Sequence, residues 1–115
     1  MRYLLLIGGE EGDDSGPSSR SSKEICEADD AVAWADEMTR RGVFVSGEVL
    51  RPPGEARTVR VRDGEVLLAD GPFAETKEQI GGLSVIECAD LEEAVAVAAA
   101  HPVARFGMVE VRPLW

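Results

Sequence analysis

Thr58-Val59-Arg60-Val61-Arg62-Asp63-Gly64-Glu65-Val66-Leu67-Leu68-Ala69 is the stretch that decides how the rest of the chain is parsed. Polar and apolar residues alternate over 58–62, Asp63-Gly64 is a strong two-residue turn signal, and Glu65 to Ala69 returns. The pattern predicts a β-hairpin. Upstream, Val43 to Leu50 reads as a strand ended by Pro52-Pro53-Gly54. Before it a helix starts at Ser21 or Ser22, because Ser21 with Glu24 three residues on forms a capping-box pattern. Ile25, Ala28, Val32, Ala35 and Met38 then predict one apolar stripe with Trp34 at its edge. Gly42 after Arg40-Arg41 is the expected stop, with cations at the negative end of the helix dipole. Arg2 to Ile7 is a short apolar run bounded by Gly8-Gly9, a buried first strand; residues 8–20 read as a loop.

Downstream, Asp70-Gly71-Pro72-Phe73 breaks the returning strand, and Thr76 with Gln79 predicts one turn of helix. Gly81-Gly82 suggests a turn with positive φ or a close backbone approach, leading into a strand from Leu83 to Cys88. Asp90 with Glu93 caps an Ala- and Val-rich helix that stops before Pro102, and Phe106 to Val111 is the last strand. Lifting out the hairpin leaves β-α-β-β-α-β, the order of ferredoxin-like folds. The fold class is therefore α+β, an antiparallel sheet with two helices on one face and an inserted hairpin. The opposite face needs a cover, and a second copy in a two-fold dimer supplies it.

The 115 residues make a single domain, 1–115, long enough for a core that buries about two-thirds of the chain's surface. The formal charge of −10, from 22 acids against 12 bases, repels phosphate backbones and anionic bilayers, so neither nucleic acid nor membrane is an expected partner. Leu4-Leu5-Leu6-Ile7 is too short for a signal peptide or a span, which places the chain in the cytoplasm. Cys26 and Cys88 are then free thiols packed as small apolar residues. Two distant cysteines and one histidine make no metal cluster, and no phosphate-loop or dinucleotide motif surrounds the glycines, so no cofactor is expected.

The least generic segment is Asp70-Gly71-Pro72-Phe73-Ala74-Glu75-Thr76-Lys77-Glu78-Gln79-Ile80-Gly81-Gly82. With the opening Arg2 to Ile7, Gly47-Glu48, Thr58-Val59-Arg60 and the closing Val109 to Leu114, it resembles the YCII-related proteins, in particular the DGPF-domain branch. The resemblance covers nearly the whole chain. It implies a ferredoxin-like fold paired into a dimeric α/β barrel, whose relatives include enzymes acting on small molecules. It also implies an Asp with a His as an acid/base pair, and a gene-neighbour association with extracytoplasmic-function sigma factors. The family histidine lies nearer the N-terminus, where this chain has none.

Two readings of Asp70 stand side by side: a carboxylate that holds the turn through backbone N–H groups, and a catalytic acid/base group whose pKa burial would raise. His101 reads first as a cation at the end of the second helix, and otherwise as the partner of Asp70. Phe73 reads as a core residue fixed by Pro72, or as pocket lining together with Gly71, Pro72 and Lys77. The resulting expectation is a homodimeric small-molecule-binding protein, with isomerase- or lyase-type chemistry at Asp70. The alternative is a non-enzymatic regulatory protein bound to a sigma factor.

Overall fold

The computed structural model describes residues 1–10, 21–74, 76 and 78–115. Strand β1 (Arg2–Glu10) alternates cleanly: Tyr3, Leu5 and Ile7 are buried, while Leu4 and Leu6 point to the opposite face and are half-buried. It is longer than Arg2 to Ile7, taking in Gly8, Gly9 and Glu10.

The first helix begins where the capping box places it. Ser21 Oγ accepts from the Glu24 N–H at 3.2 Å, and the Ser21 N–H donates to Glu24 Oε2 at 2.7 Å. The expected single helix is two. Helix α1 (Ser22–Cys26) ends at Glu27, Ala28 takes an extended conformation, and α2 (Asp29–Arg40) starts afresh with Asp29 and Asp30 at its positive end. The break resets the phase of the apolar stripe. Ala31, Trp34 and Met38 are buried, Trp34 at the centre rather than the edge, and Val32 is exposed. The indole decides this, since its Nε1–H donates to the Val97 carbonyl at 3.0 Å and fixes α2 against the last helix. Gly42 stops the helix with φ +73°.

Strand β2 (Phe44–Val49) is followed by a 3₁₀ turn at Pro53–Glu55. Strands β3 (Arg57–Arg62) and β4 (Glu65–Asp70) pair through an Asp63-Gly64 turn, both residues with positive φ. Strand β5 (Glu78–Glu87) starts five residues earlier than Leu83 and runs through both glycines, so Glu78 and Gln79 lie in a strand rather than in the expected helical turn. Ile7 faces Gly82 and Gly8 faces Ile80, which makes Gly81 the extra residue of a β-bulge rather than a positive-φ turn. Helix α3 (Leu91–Ala99) is capped by Asp90 Oδ1, which accepts from the Glu93 N–H at 2.9 Å. A 3₁₀ turn at Pro102–Arg105 leads to β6 (Met108–Pro113).

The four-stranded sheet has the order β2-β5-β1-β6, with every neighbour antiparallel; β3 and β4 form a separate two-stranded sheet. This is the ferredoxin-like arrangement with an inserted hairpin. Tyr3, Leu5, Ile7, Ile86 and Cys88 from one sheet face interlock with Trp34, Met38, Ala94 and Val97 from the helices to make the core. Leu4 opposite Val85 and Leu6 opposite Leu83 line the other face, which no helix of the described chain covers.

Candidate functional site

The Asp70 loop sits where the hairpin returns to the body. Arg57 and Asp70 are cross-strand partners, and Arg57 Nε lies 3.1 Å from Asp70 Oδ1. The Asp70 side chain is 86% exposed. The turn itself is held by backbone groups of Gly71, whose φ of +90° suits glycine. Its N–H donates to the Ala56 carbonyl at 2.8 Å, and its carbonyl accepts from Thr58 Oγ1 at 2.9 Å. Pro72 is half-buried, but Phe73 is 84% exposed, so the expected core packing of that ring does not occur within one protomer. Lys77 lies outside the described residues.

His101 is nowhere near a helix dipole role. Helix α3 ends at Ala99, and His101 instead caps the 3₁₀ turn, its Nδ1 accepting from the Val103 N–H at 3.1 Å. Pro102 at the first position of that turn forces the change of element. The imidazole is buried and packs edge-on to Trp34, ring centroids 4.7 Å apart. Burial pushes its pKa below the ordinary histidine value, and the charge of Asp30 opposes this only in part. Within one protomer the two catalytic candidates are apart: His101 is buried in the core and Asp70 is exposed on the hairpin.

The lowered pKa carries a stability consequence. Between the folded and unfolded pKa values the unfolded chain binds more protons, so stability is full above the usual histidine range and falls as pH drops through about 6.5. The wild type is expected to lose more melting temperature between pH 7.5 and pH 5.5 than His101→Asn, which keeps a capping acceptor without a titrating ring. Identical slopes for the two proteins would show that His101 does not titrate in this way.

A cleft of about 980 Å³ lies elsewhere, between α1, the end of β1, the start of β5 and the chain that follows β2. Ile7, Ile25, Leu50, Val103 and Phe106 give it an apolar floor, and its polar lining is mostly acidic, with Glu10, Glu24, Glu27, Glu55 and Glu78 against Lys23 and Arg51. Arg51 is held at the rim by Glu55, Nε to Oε1 2.9 Å. Cys26 also lines it, its thiol pKa raised mainly by burial. Gly8, Gly9 and Gly81 line it where β1 runs beside β5. No single stretch of the sequence signals the cleft, because its walls come from separate segments. Among the described residues, no three His, Cys, Asp or Glu side chains are placed to hold a metal ion.

The whole chain, residues 1–115, matches the model of the YCII-related domain. The chain belongs to the YCII-related family. A relative from Rhizobium meliloti (strain 1021), 48% identical over 118 residues that cover 99% of this chain and 92% of its own, is described as an uncharacterised protein. The YCII-related assignment agrees with the ferredoxin-like sheet order and leaves the activity to be argued from the site. Among the described residues of this YCII-related chain, no helix is long and apolar enough to cross a membrane.

Proposed function

We propose that this YCII-related protein is a homodimeric small-molecule-binding protein, with the cleft beside α1 as its binding chamber. The observation that carries the reading is the cleft itself: at about 980 Å³, with an apolar floor and a charged rim, it is of the size that ligand pockets show. Its walls come from the regular sheet and from a capped helix, so the chamber has rigid supports on the strand side. The dimer follows from the apolar Leu4, Leu6, Leu83 and Val85 face that the chain's own helices leave open. Isomerase- or lyase-type chemistry with Asp70 as base requires the second protomer. In its own protomer that carboxylate is outside the cleft lining and largely in water, where a base gains nothing from its surroundings.

A thermal-shift screen of metabolites against the wild type, Leu50→Trp and Asp70→Asn tests the reading. Leu50→Trp fills the cleft from its apolar floor. A ligand present at a hundred times its Kd stabilises by about 2.7 kcal/mol, a shift on the order of 10 °C. That shift is expected to vanish in Leu50→Trp and to persist in Asp70→Asn, which loses turnover only. A ligand that stabilises Leu50→Trp as much as the wild type places the site outside the cleft.

A further inference from the structure

The one histidine of the chain serves as a buried acceptor. His101 Nδ1 takes the Val103 N–H at 3.1 Å inside the core, so the ring is neutral there, with its proton on Nε2. A proton on Nδ1 would set two N–H donors face to face and leave both without an acceptor. This bond opens the 3₁₀ turn at Pro102–Arg105, and the rest of the turn is built on it. The Ala104 N–H donates to the His101 carbonyl at 3.0 Å, and the Phe106 and Gly107 N–H groups donate to the Val103 carbonyl at 3.1 and 2.7 Å.

The same turn is a wall of the cleft. Val103 within it and Phe106 at its end belong to the lining, as do Gly8 and Gly9 of β1. Gly107 rests on that part of β1: a Cβ there would overlap the Gly8 carbonyl oxygen, and a Cβ at Gly9 would lie 3.2 Å from Gly107 Cα. Packing this close leaves the turn no slack, so a change in its hydrogen bonding reaches the cleft through Val103, Phe106 and β1. On its other side the turn is tied to α2, where Arg105 Nη2 lies 3.3 Å from Asp30 Oδ2. Among the described residues, Asp30 is the charged group of α2 whose field reaches the imidazole, and Arg105 is the charged group on the turn itself. The residues that α3, β1 and β6 place in the core on this side, Val97, Ala98, Ile7 and Val109, carry no charge.

We infer that His101 is a pH-sensitive latch on the cleft. With the imidazole neutral, the turn is closed and Val103 and Phe106 stand in place as its wall; protonation releases the turn and weakens whatever binds against them. This rests on reading the cleft as a binding chamber and adds its regulation. Burial favours the neutral ring and the charge of Asp30 opposes it only in part, so the latch opens on the acid side of the ordinary histidine range. The coupling is reciprocal: a ligand held by Val103 and Phe106 favours the neutral ring and lowers its pKa further.

Nitrogen NMR of the wild type, from about pH 7.5 down to about 5.0, tests the latch without a ligand, since a single histidine gives a single set of ring signals. At the upper end the ring is expected as the Nε2–H tautomer. The amide signals of Gly8, Gly9, Val103, Phe106 and Gly107 are expected to move with the same midpoint as the ring. An Nδ1–H tautomer, a ring that does not titrate before the protein unfolds, or amides that stay still while the ring titrates overturns the latch and leaves the chamber standing. The uncharged dye N-phenyl-1-naphthylamine then reads the chamber. Its Kd is expected to rise about threefold or more over the same pH range in the wild type and to stay constant in His101→Asn. An equal rise in both proteins also overturns the latch. Dye that binds Leu50→Trp as tightly as the wild type removes the chamber, and with it the regulatory role of the latch, whatever the ring does.

Discussion

Gly8→Ala is expected to lower the stability of this protein by about 3 kcal/mol, although it adds a single methyl group. A Cβ at position 8 overlaps the carbonyl oxygen of Gln79 and lies 3.0 Å from its carbonyl carbon and 3.1 Å from Ile80 Cα. All three are backbone atoms, so no side chain can swing away. The strands must separate at the bulge, and the β1–β5 ladder that runs from Arg2–Glu87 to Glu10–Glu78 loses its last pairs. At this chain length the expected fall in melting temperature is roughly 10–15 °C. Urea unfolding of the two proteins measures it. Gly54→Ala is a suitable control, because nothing lies within 4 Å of a Cβ there. If Gly8→Ala behaved like Gly54→Ala, the bulge geometry described above would be wrong.

Trp34→Ala is the second large effect, at about 4 kcal/mol. The indole is 6% exposed and stands against Phe44 on one side and His101 on the other. Truncation opens a cavity between α2, α3 and the sheet, and it strips the Val97 carbonyl of the donor that reaches it. Trp34→Phe separates these contributions. It keeps most of the packing and loses the N–H, so it is expected to cost about 1–2 kcal/mol. Equal losses for the two variants would assign the whole effect to the hydrogen bond. A loss below about 1 kcal/mol for Trp34→Ala would remove Trp34 from the centre of the core.

What was legible in the sequence was what is encoded locally. The hairpin is written in an alternation and an Asp63-Gly64 turn, the first helix start in Ser21 and Glu24, and the α3 start in Asp90 and Glu93. These signals carry their own geometry, and the order they imply gave the sheet topology. The apolar stripe of the first helix was misread because periodicity assumes an unbroken helix, and the extended residue Ala28 shifts the phase. Of the two readings of Gly81-Gly82, a turn or a close backbone approach, the second holds at Gly82, where a Cβ would lie 3.3 Å from the Glu48 carbonyl oxygen. The bulge at Gly81 is defined by the strand opposite, some seventy residues away. His101 was read as a helix-end cation because its burial depends on Trp34, a residue far off in the chain. For the site, sequence singled out the hairpin root at Asp70 but not the cleft, whose walls come from separate segments that only the fold assembles.

The short length of α1 has a kinetic consequence. Five residues close too few hydrogen bonds to hold a helix in water, so α1 depends on its Ser21–Glu24 box and on Ile25 against the core. The chamber thus has one wall from the most stable part of the molecule, the β1–β5 ladder, and one from its least cooperative helix. Fraying of α1 leaves the Leu5–Ile86–Val97 core untouched, so it costs far less than global unfolding. If the cleft binds a ligand as proposed, entry requires only the local opening of α1 and not the unfolding of the domain.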